Sequence, residues 1–160
     1  MTLTTHATAA TAIGVFIPGP WWLGWSLSFF SHFVLDMIPH YDYDEKRVVK
    51  HKFYHFKIHD QFTVNILKVV LDLGLGLLVP LLIGWWFKLS IIYLVGCGAI
   101  AILPDFLQLV YSLTKIKILQ KLQNFHVWIH SQKKIREPLF GHLQQIIINL
   151  LIISLIFYAS

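Results

Sequence analysis

A short run of histidine and aspartate residues, at the end of an apolar segment, has the residue types and spacing that metal chemistry needs. Within residues 31–42, His32 and Asp36 are four apart, and His40 follows Pro39. Residues four apart on an α-helix share a face, with Cβ atoms about 5–6 Å apart. Both side chains could therefore bind one cation. Pro39 is expected to end the helix so that His40 turns back towards it.

A second pair, His126 and His130, has the same spacing later in the chain. Histidine and aspartate without cysteine favour zinc, manganese or iron at a reactive site over a structural zinc site. The single cysteine, Cys97, lies in an apolar run, where a small residue at a helix contact is expected. Two neighbouring ions are predicted, with three further residues completing their ligand shells: His6, Asp72 and Asp105.

Such a site would suit phosphoester hydrolysis. Two metal ions a few Å apart clamp a phosphoryl group and activate water as the nucleophile. Asp72 or Asp105 would bridge the ions, or one of them would act as the base that takes the proton of the water. Asp72 is thus predicted to be a further ligand or the general base. His40 is predicted to be a peripheral ligand or the acid for the leaving group.

Simpler interpretations exist for each of these residues. His32 and Asp36 could form a hydrogen bond that fixes a helix end, and Asp72 could pair with Lys68 one turn earlier. Asp105 could cap a helix that restarts after a proline. His126 and His130 could be a surface pair, and His6 lies near a terminus. Whether four further histidines join the site stays open: His51, His55, His59 and His142.

The composition points to a protein embedded in a membrane. Hydrophobic residues make up 56% of the 160 residues, charged residues 13%, and the mean hydropathy is +0.64. Soluble domains have a charged fraction of about 25%. The apolar runs are long and do not alternate, which disfavours strands. We therefore predict one all-α domain over residues 1–160, a polytopic membrane bundle of about five helices.

Breakers and apolar runs divide the chain into predicted elements. Residues 4–17 form a weakly apolar segment that is too short to span the bilayer upright, and residues 112–137 form a basic, partly amphipathic segment. A helix at 89–111 is expected to break near Leu103-Pro104-Asp105. The other predicted helices are 21–38, 61–87 and 138–158.

Lysine and arginine predict the orientation in the membrane. Five of the thirteen lie in residues 41–60 and six in 112–137, so both segments fall on one side. The positive-inside rule makes that side, with the N-terminus, cytoplasmic in a bacterial inner membrane. A net charge of +5 confined to two such segments suits anionic lipid better than nucleic acid. Four residues are predicted to hold an anionic headgroup: Lys46, Arg47, Lys50 and Lys52.

The order of these motifs resembles a known family. His32 to His40 is similar to the His-x-x-x-Asp segment of zinc-dependent phospholipase C and related nucleases. Together with Leu103-Pro104-Asp105 and the later histidines, it resembles the membrane-bound, metal-dependent hydrolases of the YdjM type. The resemblance implies a hydrolase of phosphoester or lipid-like substrates. The ligands it implies are His6, His32, Asp36, Asp105, His126 and His130.

Two other functions are compatible with the same residues. Ionisable residues inside a membrane also mark ion pathways, so a transporter of divalent metal or protons is the first alternative. A non-catalytic membrane protein with a structural metal is the second. The outer half of the predicted bundle offers almost no ionisable residue except Lys88, which disfavours a transport route.

Overall fold

A computed structural model describes residues 1–41, 61–130, 135 and 137–159, and within this part the chain is helical with no strand. This confirms the predicted all-α class. The described helices number six, one more than expected, because the basic segment after residue 112 contributes a helix of its own. They are α1 (Leu3–Phe16), α2 (Trp21–Asp36), α3 (Gln61–Trp86), α4 (Ile91–Thr114), α5 (Lys117–Ile129) and α6 (Pro138–Ala159).

In the described part of the chain, three helices are long and apolar enough to cross a membrane. The candidate spans are Ile66–Trp86 in α3, Ile91–Ser112 in α4 and Pro138–Ala159 in α6, with mean hydropathies of 2.3, 1.8 and 1.9. At about 1.5 Å per residue, helices of this length match the roughly 30 Å hydrocarbon core of a bilayer. With 14 and 16 residues, α1 and α2 are shorter than these spans.

Helix α1 is only weakly apolar, yet it lies in the middle of the bundle, where it contacts α2, α3, α4 and α6. Its buried side chains are almost all alanine, threonine or glycine, which allow helix backbones to approach closely in membrane bundles. The hydroxyl groups of Thr8 and Thr11 donate to the carbonyls of Thr4 and Ala7, at 2.8 and 2.7 Å. These bonds satisfy polar atoms that burial would otherwise leave unpaired.

Helix α4 continues through Pro104, so the predicted break near this residue is wrong. Asp105 consequently does not cap a restarted helix. Proline removes one backbone donor from a helix, but neighbouring helices in membrane bundles can supply replacements for the freed carbonyls. The carbonyl of Ala101, one turn earlier, accepts a hydrogen bond from Nδ1 of His32 on α2, at 2.8 Å. The proline region is therefore tied directly to the histidine cluster.

One end of the bundle is rich in aromatic side chains. The α1–α2 turn lies beside the start of α4, because the Tyr93 hydroxyl donates to the carbonyl of Ile17 at 2.9 Å. The rings of Phe87 and Phe157 are 5.1 Å apart, which brings the end of α6 to the same place. Exposed aromatic residues at this end are Trp21, Trp22, Trp85, Trp86 and Tyr158. Such belts are typical of a membrane–water interface.

Candidate metal centre

The α1–α2 hairpin builds the first wall of the site at the opposite end of the bundle. His6 lies in the first turn of α1 and Asp36 is the last residue of α2. The short turn between the helices brings the two residues together, so that His6 Nε2 lies 3.3 Å from Asp36 Oδ1. The imidazole rings of His6 and His32 stack with centroids 4.1 Å apart.

Four side chains from three helices form the first potential ligand group: His32, Asp36, Asp105 and His126. One nitrogen or oxygen from each lies within 4.8 Å of the others. Asp36 Oδ2 lies 3.2 Å from His32 Nε2 and 2.9 Å from His126 Nε2. Asp105 Oδ1 lies 3.6 and 3.9 Å from the same two nitrogens. Two ligands each about 2.1 Å from a tetrahedral zinc ion lie about 3.4 Å apart, so these spacings suit one ion.

The orientation of His32 is fixed by its backbone partner. Because Nδ1 bonds to the carbonyl of Ala101, that nitrogen carries a hydrogen. In a neutral imidazole, Nε2 then presents a lone pair to Asp36 and Asp105, and among the described residues it has no hydrogen-bond partner. A lone pair facing two carboxylates is unfavourable unless a cation lies between them. Metal-binding histidines usually donate their other ring hydrogen to a carbonyl or carboxylate, as His32 does.

A second group shares Asp36 and adds His40 and His130, with ligand atoms again within 4.8 Å of one another. His40 Nδ1 donates to the carbonyl of Ile38 at 2.6 Å, and His40 Nε2 lies 3.8 Å from Asp36 Oδ1. The amino nitrogen of Met1 lies 3.2 Å from the same oxygen. Asp36 thus turns Oδ2 towards the first group and Oδ1 towards the second.

His126 and His130 divide between these two groups, although the sequence predicted a pair on one helix face. Helix α5 ends at Ile129, and His130 follows it with a backbone ψ of 132°. The imidazole of His130 lies beside His40, with ring centroids 4.8 Å apart, and its centroid is 5.9 Å from that of His126. His126 stays on the helix and is 3% exposed.

The protonation states of His6 and Asp36 suit metal binding. Burial is the largest influence on His6 and lowers its pKa from 6.5 to about 4. Burial opposes ionisation of Asp36, but the hydrogen bond with His126 and the nearby nitrogens of His32 and His6 outweigh it and lower the pKa of Asp36. At neutral pH the imidazole of His6 is therefore neutral and the carboxyl group of Asp36 ionised. These are the forms that bind metal ions.

Asp72 lies outside both groups and holds the beginning of α1. Its carboxylate accepts hydrogen bonds from the backbone N–H groups of Leu3 and Thr4, at 2.6 and 3.1 Å, and from the Thr4 hydroxyl at 2.6 Å. The first N–H groups of a helix have no partner within the helix, so Asp72 supplies one. Lys68 is exposed rather than paired with it. A role for Asp72 as ligand or base stays a prediction.

The amide of Gln145 on α6 has a positioning role that the sequence did not indicate. Its Oε1 accepts from the backbone N–H of Thr2 at 2.6 Å, and its Nε2 donates to the carbonyl of Tyr41 at 3.0 Å. Both ends of the α1–α2 hairpin are thereby held beside the site. The only signal in the sequence was an amide within an apolar span. His142, one turn earlier, is exposed and belongs to neither group.

Several predicted residues lie outside the described part of the chain. These are the proposed headgroup-binding residues Lys46, Arg47, Lys50 and Lys52, and the histidines His51, His55 and His59. In the described part, a narrow cleft between α4 and α5 reaches His126. Its walls include Pro104, Leu107, Leu119 and Leu122.

The fold and the site together define an all-α protein with three candidate membrane spans and a buried histidine–aspartate cluster that could hold a metal ion. No protein-family model matches the chain, and neither a curated protein nor a solved structure matches it. The resemblance to membrane-bound metal-dependent hydrolases therefore stays a prediction.

Proposed function

We propose that this protein is a membrane-embedded, metal-dependent hydrolase that cleaves a phosphoester in a lipid headgroup or a similar substrate. The observation that carries the proposal is the pair of ligand groups that share Asp36. The shared carboxylate is 1% exposed and lies within 3.3 Å of nitrogens from His6, His32 and His126. A buried carboxylate is costly unless a cation or hydrogen bonds compensate it.

The donor set favours two divalent ions, with zinc as the first choice. His32, Asp36, Asp105 and His126 would hold the first ion, and Asp36, His40 and His130 would hold the second. His6 would support the second ion from α1, through its nitrogen near Asp36 Oδ1. Imidazole and carboxylate ligands also suit manganese and iron, which are the alternatives.

Divalent ions at such a site supply Lewis acidity, which polarises a phosphoryl oxygen and makes water a nucleophile at neutral pH. The residues of the chain supply the geometry and the proton transfers. Asp105 is the better candidate for the base than Asp72, because its side chain is 25% exposed while Asp72 is engaged by α1. Asp105 could therefore pass a proton from water to solvent. His40 would be a ligand of the second ion, and its alternative role as the acid for a leaving group would require Nε2 to be free of metal, since Nδ1 donates to Ile38.

The charge distribution supports a lipid substrate at the cytoplasmic leaflet. Helix α5, which carries His126, begins at Lys117 and also contains Lys121. The positive-inside rule would place this end of the bundle in the cytoplasm of a bacterium, facing anionic headgroups. A phosphoester in such a headgroup would then approach the ligand groups from the membrane surface.

Hydrolysis by the purified full chain in lipid nanodiscs tests the proposal. We expect cleavage of a phosphodiester-containing lipid to stop on chelation and to return with zinc or manganese. His32→Gln should lower the rate at least about 100-fold, because even groups that only orient a ligand contribute about 10–100-fold. His142→Gln replaces an exposed histidine outside both groups and should leave the rate unchanged.

Two results would contradict the hydrolase. Tightly bound metal without cleavage of any phosphoester lipid would favour a structural metal. Flux of divalent metal or protons into liposomes, blocked by His32→Gln, would favour the transporter.

A further inference from the structure

Helix α5 begins where a candidate span ends. The span in α4 finishes at Ser112, α4 itself at Thr114, and α5 begins at Lys117. Lys115, between the helices, has a φ of 56°, a left-handed conformation that redirects the chain. Because so few residues separate the candidate span from α5, a membrane crossed by α4 would place the start of α5 at its surface.

The surface of α5 has three sectors. One packs against the protein and carries the buried His126. A second is apolar and largely exposed: Ile118 and Trp128 are 80% and 77% exposed, and Phe125, whose ring packs against Phe33, is 44% exposed. A third is mainly polar, with the exposed Gln120 and Asn124, and Val127 at its border is 53% exposed. An amphipathic helix with a largely exposed apolar sector is typical of helices that lie in a membrane interface.

The charged residues within α5 and on either side of it along the chain are all basic. Residues 106–136 contain no aspartate or glutamate. Lys115, Lys117 and Lys121 are exposed, and the ammonium of Lys115 lies 5.2 Å from the centre of the Tyr111 ring. Lysines beside an apolar stripe can keep their charge in water while their stems cover apolar surface. Anionic phospholipid complements both the charge and the apolar stripe.

We propose that α5 is an interfacial helix that binds the anionic phospholipid surface with Ile118, Phe125, Trp128 and its lysines. His126 and Trp128 are two residues apart, which is a rotation of about 200° around the helix axis, so their side chains lie on nearly opposite faces of α5. While lipid holds the Trp128 side, His126 stays 2.9 Å from Asp36. The histidine–aspartate cluster consequently lies at headgroup depth, close to the phosphate groups of the bilayer.

The depth of α5 can be measured with nitroxide labels on single cysteines, in the full chain carrying Cys97→Ala and reconstituted in bilayers. Ile118→Cys and Trp128→Cys labels should be more accessible to oxygen than to a water-soluble nickel complex. Asn124→Cys on the polar sector should show the reverse. Ala99→Cys, on an exposed position of the α4 span, provides the reference for a lipid-facing site. Equal, nickel-accessible behaviour at 118, 124 and 128 would overturn the proposal.

The lipid charge is tested separately by the preference of the protein for spin-labelled phosphatidylglycerol over phosphatidylcholine. Replacing Lys115, Lys117 and Lys121 together by glutamine should lower this preference at least fivefold, since each lysine near a surface contributes about fivefold. The matching triple arginine variant keeps the charge and should keep the preference. All other basic residues are the same in both variants. Equal preference in the glutamine and arginine variants would refute binding of anionic lipid by α5.

Discussion

Replacing Asp36 by asparagine tests the shared carboxylate most directly. Asparagine keeps the size of the side chain but removes its charge and one of the two oxygens that face the ligand groups. Three histidine nitrogens lie 2.9, 3.2 and 3.3 Å from those oxygens, and both groups include the residue. Since outer groups that orient a ligand already contribute about 10–100-fold to metal affinity, loss of this ligand should raise the zinc Kd at least about 100-fold.

The same change has a consequence for stability. Free metal at 100 times the Kd stabilises a folded protein by about 2.7 kcal/mol. If Asp36→Asn raises the Kd 100-fold, the metal concentration equals the new Kd, and the stabilisation falls to about 0.4 kcal/mol. Zinc at that concentration should therefore raise the Tm of the unchanged protein clearly and that of the variant hardly at all.

Competition with a chelating dye, elemental analysis and thermal unfolding of the protein in nanodiscs would measure both effects. Asp72→Asn is the matched control, because it neutralises another buried carboxylate that holds α1 but belongs to neither ligand group. The reasoning fails if Asp36→Asn binds zinc as tightly as the unchanged chain, or if both variants lose zinc equally.

Three further predictions concern the packing of the helices and their orientation in the membrane. Asp72→Ala should lower the free energy of unfolding by about 1–2 kcal/mol, the effect of losing a helix N-cap, while zinc binding at saturating metal is retained. Gly76→Val should destabilise by about 1–3 kcal/mol, because a Cβ at Gly76 would lie 3.3 Å from the backbone of α1; Gly74→Val has open space and is the control in the same thermal unfolding assay. Equal losses at the two glycines would contradict the close approach of α1 and α3. Lys88→Cys, in the Cys97→Ala chain, should react with a membrane-impermeant thiol reagent from outside the cell, and labelling only after lysis would reverse the proposed orientation.

The helices could be predicted from the sequence because their signals are local. The Pro18-Gly19-Pro20 breaker and the long apolar runs set the bounds of α1, α2, α3 and α6 to within about two residues of those in the structure. The exception was α4, which contains Pro104. A local rule predicted a break at Pro104, but α4 continues through it, next to the carbonyl of Ala101 that bonds to His32.

The position of α1 could not be predicted, because its weakly apolar sequence indicated only a segment too short to span the bilayer upright. Hydropathy reflects the free energy of transferring a helix into lipid, but it does not show how closely the helix packs against its neighbours. In the structure, small residues and threonines bonded to their own backbone allow α1 to occupy the centre of the bundle. This central helix brings His6 to Asp36, a contact between residues 30 positions apart in the chain.

By itself, the sequence determined the all-α class, the membrane character and the set of histidines and aspartates able to bind metal, because composition and i, i+4 spacing are local properties. Only the tertiary structure decided how these residues are grouped. It places His126 and His130 in different ligand groups and directs one oxygen of Asp36 to each group. The carboxylate of Asp72 instead binds the first N–H groups of α1. The physical reason is that ligand groups form between helices, and helix packing depends on side-chain size and hydrogen bonding across the whole bundle.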